Sequence, residues 1–200
     1  MATWLVVGLG NPGPTYASHR HNVGYRVVEE LARRAGVRFS PSGPLRAEVA
    51  QTRITPTGGI GAPGAEADQV VLLKSRTYMN ESGLAVAKAS AYFRTPADHL
   101  VVVHDELDLD FGRLRLKFGG GDNGHNGLKS IRSSLGTGDF YRARYGVGRP
   151  PGRQAAADYV LSPFPSALAD DVAVEVSRCA DAVESLLTLG LDATQTRFNS

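Results

Sequence analysis

Thr3-Trp4-Leu5-Val6-Val7-Gly8-Leu9-Gly10-Asn11-Pro12-Gly13 decides how the rest of the chain is read. Its apolar, β-branched half has the composition of a buried strand, and Gly10-Asn11-Pro12-Gly13 turns that strand into a tight loop. Further on the period changes from strand to helix. Val23, Val27 and Leu31, with Val28 beside them, mark one face of a helix that starts after His21-Asn22 and ends at Gly36. Strand, loop and helix in that order open an α/β fold. The glycines also fit Gly-x-Gly-x-x-Gly, the pattern of a dinucleotide-binding turn. That reading fails on spacing: Pro12 and Pro14 postpone the helix, and the next strand ends in Ile54-Thr55-Pro56 without an acid to hold a ribose.

Outward from this unit, residues 48–54 and 69–75 read as strands, joined by a Gly- and Pro-containing stretch, 55–68, expected to be a mobile surface connection. Asn80 is placed to cap a helix running to about Phe93, and 100–103 is a short apolar strand leading into His104-Asp105. Residues 113–118 alternate basic and apolar side chains as a half-exposed strand does. The run Gly119-Gly120-Gly121-Asp122-Asn123-Gly124-His125-Asn126 then feeds a helix over 127–135, and 141–147 is a last strand. Beyond Arg149-Pro150-Pro151-Gly152, the residues Leu168, Val172, Val176, Cys179, Val183 and Leu186 mark one face of a closing helix. The expectation is one α/β domain over 1–200, with a mixed, mostly parallel twisted sheet flanked by helices.

The chain has 200 residues, 42% of them hydrophobic and 21% charged, enough for a full core. Its 22 Lys+Arg against 20 Asp+Glu give a net charge of +2, so bulk charge does not point to nucleic acid and any anion site must be local. A single cysteine, Cys179, excludes an intramolecular disulfide and is read as a buried thiol. The N-terminal run lacks a basic flank, and no stretch is long and apolar enough to span a membrane, so a cytoplasmic protein is expected.

Polar residues gather where strands end. Asn11 follows the first strand, Asn80 lies just past the strand that ends near Ser75, His104-Asp105 ends another, and His21-Asn22 begins the first helix. In open α/β sheets such positions converge on one crevice. A neutral imidazole takes a proton from water near pH 7, an ionised Asp on its far nitrogen fixes the tautomer, and Asn amides donate to a developing oxyanion. The set suits ester hydrolysis by activated water. Taken singly, each residue is as readily a cap or a turn residue. No covalent nucleophile stands out: there is no Gly-x-Ser-x-Gly elbow. Asp105, Glu106, Asp108 and Asp110 miss the calcium-loop spacing, with Gly119 where a bidentate Glu is needed, so neither metal nor cofactor is expected. The loop 119–127 offers backbone N–H groups and a helix start to a phosphate, with Lys117, Lys129, Arg132 and Arg144 nearby, or else simply turns the chain.

Together these segments resemble the bacterial peptidyl-tRNA hydrolase family along almost the whole chain. The resemblance is carried by Gly8-Leu9-Gly10-Asn11-Pro12-Gly13 with Tyr16 and Arg20-His21-Asn22-Val23-Gly24, then by Thr77-Tyr78-Met79-Asn80-Glu81-Ser82-Gly83. His104-Asp105-Glu106-Leu107-Asp108-Leu109 and Gly119-Gly120-Gly121 with Gly124-His125-Asn126-Gly127-Leu128-Lys129 complete it. It implies hydrolysis of the ester between a peptide and the terminal ribose of tRNA. His21 would be the base, Asp105 its partner and Asn11 a third catalytic group. Tyr16, Met79, Asn80 and Asn126 would bind substrate, Lys117 and Arg144 would grip tRNA phosphate, and 150–164 would form a lid. Peptidyl-tRNA would be the partner of a monomer that needs no obligate protein partner. Two positions depart from the family pattern: His19 stands where Thr is usual, and Asp122-Asn123 interrupts the glycine loop with a negative charge. A noncatalytic relative that kept the fold is the rival, and retention of Asn11, His21, Asn80, Asp105 and Asn126 together argues against it.

Overall fold

A computed structural model describes residues 1–199. Its strands are β1 (Thr3–Gly8), β2 (Ser40–Ser42), β3 (Ala47–Thr55), β4 (Gly59–Ile60), β5 (Asp68–Ser75), β6 (Leu100–Glu106), β7 (Leu114–Phe118) and β8 (Tyr141–Gly146). The helices are α1 (Val23–Ala35), α2 (Ser82–Tyr92), α3 (Asn126–Leu135), α4 (Ala156–Val160), α5 (Ala169–Leu189) and α6 (Leu191–Phe198). One sheet runs in the order β2-β3-β5-β1-β6-β8-β7, with β4 folded back on β3. The four central strands, β5, β1, β6 and β8, are parallel. Antiparallel β3 and β7 flank them.

Helices cover both faces of the central strands, so the middle of β1 and the first half of β6 are unbroken apolar runs. In β1, Leu5, Val6 and Val7 are all fully buried, and all of β6 is buried as well. Alternate residues serve opposite layers. Val6 packs with Val27 and Leu31 of α1 and Val176 and Val183 of α5, whereas Leu5 and Val7 pack with Val86 of α2 and Ile131 of α3. Each such side chain contributes about 1.5–3 kcal/mol relative to exposure. Cys179 lies fully buried in the first layer, and burial pushes its thiol up to about 12.

Two glycines set the distance between α1 and the sheet. A Cβ on Gly24 would stand 2.3 Å from the Val103 carbonyl oxygen, and one on Gly8 would stand 2.2 Å from that of Gly24. The start of α1 therefore rests directly on the ends of β1 and β6. That contact carries residue 21 to the sheet's edge and occupies the space a pyrophosphate would need over a dinucleotide turn. A mixed α/β sheet is what the sequence predicts, yet several elements differ. The stretch 55–68 is tied down, since β4 pairs with β3 and the Ile60 amide donates to Glu184 Oε1 of α5 at 2.8 Å. Asn80 is no cap: it is exposed in a 3₁₀ turn, Met79–Glu81, that precedes α2. The 100–103 strand continues through His104 and Asp105 to Glu106 because β8 pairs with it that far. β2 and α6 lie outside the elements expected from sequence.

Candidate active site

The base is positioned by a 3₁₀ turn, Arg20–Asn22, just before α1. Asn22 is 1% exposed and locks that turn to the loop after β1. Its Nδ2 donates to the Asn11 carbonyl oxygen and its Oδ1 accepts from the Asn11 amide, each at 2.9 Å. Asn11 Oδ1 accepts from the Met79 amide at 2.7 Å, which orients the Asn11 side chain and leaves its N–H groups as donors. Three loops are thus joined through one asparagine.

Asp105, which lies past the end of β1 and opposite Tyr145 of β8, is 3% exposed. Its Oδ2 lies 2.7 Å from His21 Nδ1 and its Oδ1 2.7 Å from His125 Nε2. His125 Nδ1 accepts the Gly127 and Leu128 amides at 3.1 and 3.4 Å, capping α3. The His125 proton must then sit on Nε2 and point at Asp105. His21 donates through Nδ1 in the same way, and its Nε2 has no protein partner among the described residues. Burial alone would raise the Asp105 pKa, but the two imidazoles outweigh it and hold the carboxyl well below the usual range. Burial opposes protonation of His21, yet the charge and hydrogen bond of Asp105 prevail, so its pKa stands above the ordinary 6.5. His104 donates from Nδ1 to the Asp105 carbonyl oxygen at 2.7 Å, and burial drives its pKa down to about 3. It is a neutral ring stacked edge-on to His125 at 5.1 Å.

Two clefts meet at His21. One, of about 150 Å³, is lined by Asp105, Glu106, Asn123 and His125; the other, of about 240 Å³, by Asn11, Met79, Asn80 and Tyr78. His21, Asn126, Ala157 and Val160 line both. His21, Asp105, Asn11, Met79, Asn80 and Asn126 are therefore brought together. Tyr16 lines neither cleft; it sits one ring further out, 6.2 Å edge-on from Tyr78. A roomier cleft of about 550 Å³ between β2–β3 and Tyr92-Phe93 has Arg38 as its lone charged lining group, so size alone does not mark the chemistry. His21, Asp105 and His125 offer ligand atoms within 4.8 Å of one another, close enough to hold a metal ion. The same groups are already matched as hydrogen-bond partners, one imidazole N–H to each carboxylate oxygen.

The sequence leaves the glycine loop either a phosphate cradle or a simple turn of the chain. The Arg142 side chain, 1% exposed, donates to the carbonyl oxygens of Gly120, Gly121 and Gly138, so those carbonyls turn toward a cation, and His125 takes the first amides of α3. Asp122, the intrusive charge, stands 4.0 Å from Arg132, and Asn123 donates to Glu106 at 3.1 Å from a left-handed backbone of φ 50°. Lys117 and Arg144 lie on neighbouring antiparallel strands beside Arg142, and neither makes an ion pair among the described residues. Burial, then the Arg144 and Arg142 charges, lower the Lys117 pKa; burial lowers that of Arg144. His19 stacks edge-on against Tyr16 and pairs with Pro163. Sequence reasoning missed the roles of His125, Asn22 and Arg142. The histidine just before Asn126 at a helix start was a usable signal, but its two ring contacts are a matter of tertiary geometry.

Residues 5–200 match the family model described as peptidyl-tRNA hydrolase. The chain is 58% identical to a peptidyl-tRNA hydrolase of Cutibacterium acnes over 99% of this chain and 98% of the relative. It is 51% identical to one of Streptomyces coelicolor, covering 100% and 96%. The crystal structure of peptidyl-tRNA hydrolase from Acinetobacter baumannii superposes with a TM-score of 0.86 at 31% identity, covering 99% and 95%.

Proposed function

We propose that this chain, which belongs to the peptidyl-tRNA hydrolase family and hydrolyses the ester joining a peptide to tRNA, makes its cut with a water molecule deprotonated by His21. The observation that carries this reading is the 2.7 Å contact of His21 Nδ1 with Asp105, which leaves Nε2 as a lone pair facing both clefts. Nε2 takes the water proton as the hydroxyl attacks the ester carbon. Asp105 stabilises the imidazolium that forms. The bond to the ribose oxygen then breaks, and the proton held on Nε2 passes to that oxygen, releasing free tRNA and a peptide carboxylic acid that loses its own proton to solvent. The N–H groups of Asn11 face the oxyanion, while Asn80 and Asn126 hold the peptide backbone and Met79 shapes the wall.

Lys117 and Arg144 take the tRNA phosphates. Neither cation makes an ion pair among the described residues, and the Glu106 charge offsets only part of the burial and repulsion that lower the Lys117 pKa, which supports an anion-binding role. Residues 150–164 form a lid whose α4 supplies the Ala157 and Val160 wall. The chain acts as a cytoplasmic monomer; no described helix is long and apolar enough to cross a membrane. Hydrolysis of a peptidyl-tRNA mixture in the presence of a chelator, comparing the intact chain with His21→Ala, tests the base. Near-normal cleavage by the variant removes His21 from that role.

A further inference from the structure

Arg20, the neighbour of the base, has no part in the chemistry above, yet it is 8% exposed and makes no ion pair among the described residues. A buried guanidinium without a carboxylate is costly unless many oxygens receive it. Here those oxygens all come from the far end of the lid segment. Nη1 lies 2.7 Å from Ser162 Oγ, 3.0 Å from the Pro163 carbonyl oxygen and 3.3 Å from those of Tyr159 and Ser162. The guanidinium carbon sits 3.9 Å from the centre of the Tyr159 ring, within cation–π range. The backbone repeats the attachment: the Arg20 amide donates to the Ser162 carbonyl oxygen at 3.0 Å, and His19 bridges Pro163. Tyr159 in turn donates through its hydroxyl to the Val147 carbonyl oxygen at 3.1 Å, just past β8.

We infer that Arg20 is a positioning residue that fastens the α4 wall to the turn carrying His21, so that the cover of the cleft and the base keep one register. The inference rests on the reading of His21 as base and extends it to how the pocket is closed. Ala157 and Val160 line both clefts, and Arg20 grips the chain between and just beyond them. At the start of the segment Arg149 pairs with Asp108 at an exposed site, while Pro150-Pro151-Gly152 itself makes no side-chain hydrogen bond among the described residues and turns at Gly152 with φ +71°. Motion of the cover is thereby confined to a swing about its gripped end, which keeps bulk water from His21 while substrate is bound.

Hydrogen exchange and steady-state kinetics on the full chain test this. In Arg20→Gln, amides of 156–163 are expected to exchange at least about tenfold faster, with β1 and β6 unchanged, and kcat/KM to fall about tenfold. Arg20→Lys, which keeps the charge and one donor nitrogen but loses the flat face stacked on Tyr159, recovers part of both. Tyr159→Leu removes the stacked ring and lowers kcat/KM less. Combined with Arg20→Gln it adds no more than Tyr159→Phe alone, which keeps the stacked ring and loses only the hydroxyl bond to Val147. Unchanged exchange over 156–163, or losses that multiply in the double variant, overturn the inference. Should Arg20→Gln not fold, Tyr159→Leu with Ser162→Ala reports on the same contact from the other side, with the same expectation. Exchange does not depend on the base, so His21→Ala with a normal rate sinks the catalytic reading alone.

Discussion

His21 leads into α1 and His125 caps α3, and each gives one ring nitrogen to the same Asp105 carboxylate at 2.7 Å. They differ in the other nitrogen. That of His125 is occupied by two helix amides, which fixes its tautomer and removes its lone pair from chemistry. That of His21 faces the clefts with no protein partner among the described residues. Residue type, burial and partner are nearly the same, and the role is decided by where the second nitrogen points. A histidine at a helix start is a structural cap when the helix claims it and a base when the helix does not.

The comparison can be broken at several places. The largest effect is expected from His21→Ala, which removes the open nitrogen and lowers kcat roughly 10²- to 10⁴-fold in peptidyl-tRNA hydrolysis; a loss of less than threefold would make the two histidines equivalent. Asp105→Asn strips both rings of their anion and is expected to cost roughly 10²-fold or more. It also tests the pH argument. Because Asp105 holds the His21 pKa above 6.5, the wild-type rate falls as pH drops through that raised value, and in Asp105→Asn this acid limb moves to lower pH. A limb that stays in place shows that the carboxylate is not what tunes the base. The same raised pKa stabilises the fold fully below about 6.5, and that contribution is lost as pH rises through the folded value.

His125 separates its two contacts by substitution. His125→Asn can still cap α3 but cannot span to Asp105, so it should keep the share of stability that comes from the cap and lose about tenfold in rate. His125→Ala loses both and costs about 1 kcal/mol in denaturant unfolding as well. Equal stability of the two variants would show that the cap contributes nothing. Smallest at low salt is Lys117→Ala, which should reduce the salt slope of tRNA binding by roughly one phosphate contact without changing kcat. An unchanged slope removes Lys117 from the grip.

Much of this was legible because periodicity is local. Val23, Val27 and Leu31 announce α1, and the unbroken apolar runs of β1 and β6 announce central strands covered on both faces. The catalytic cleft was legible through strand ends, since Asn11 and Asp105 each terminate or follow a central strand. What sequence could not give depends on partners far along the chain. Ser40-Pro41-Ser42 is a strand only because β3 pairs with it, and Asn80, a good cap by type, sits exposed in a 3₁₀ turn instead. The glycine loop has the composition of an anion nest, but Arg142, about twenty residues later, gathers its carbonyls. Nothing in a run of glycines tells which way its peptide planes face.

Cys179 has a practical use. It is the sole thiol of the chain and lies fully buried with its proton held tightly, so maleimides and other soft electrophiles have nothing to react with in the native protein. A cysteine introduced at an exposed site such as Arg153 would be the single point of dye attachment. Fluorescence from that one label could follow single molecules through turnover without any background substitution in the core.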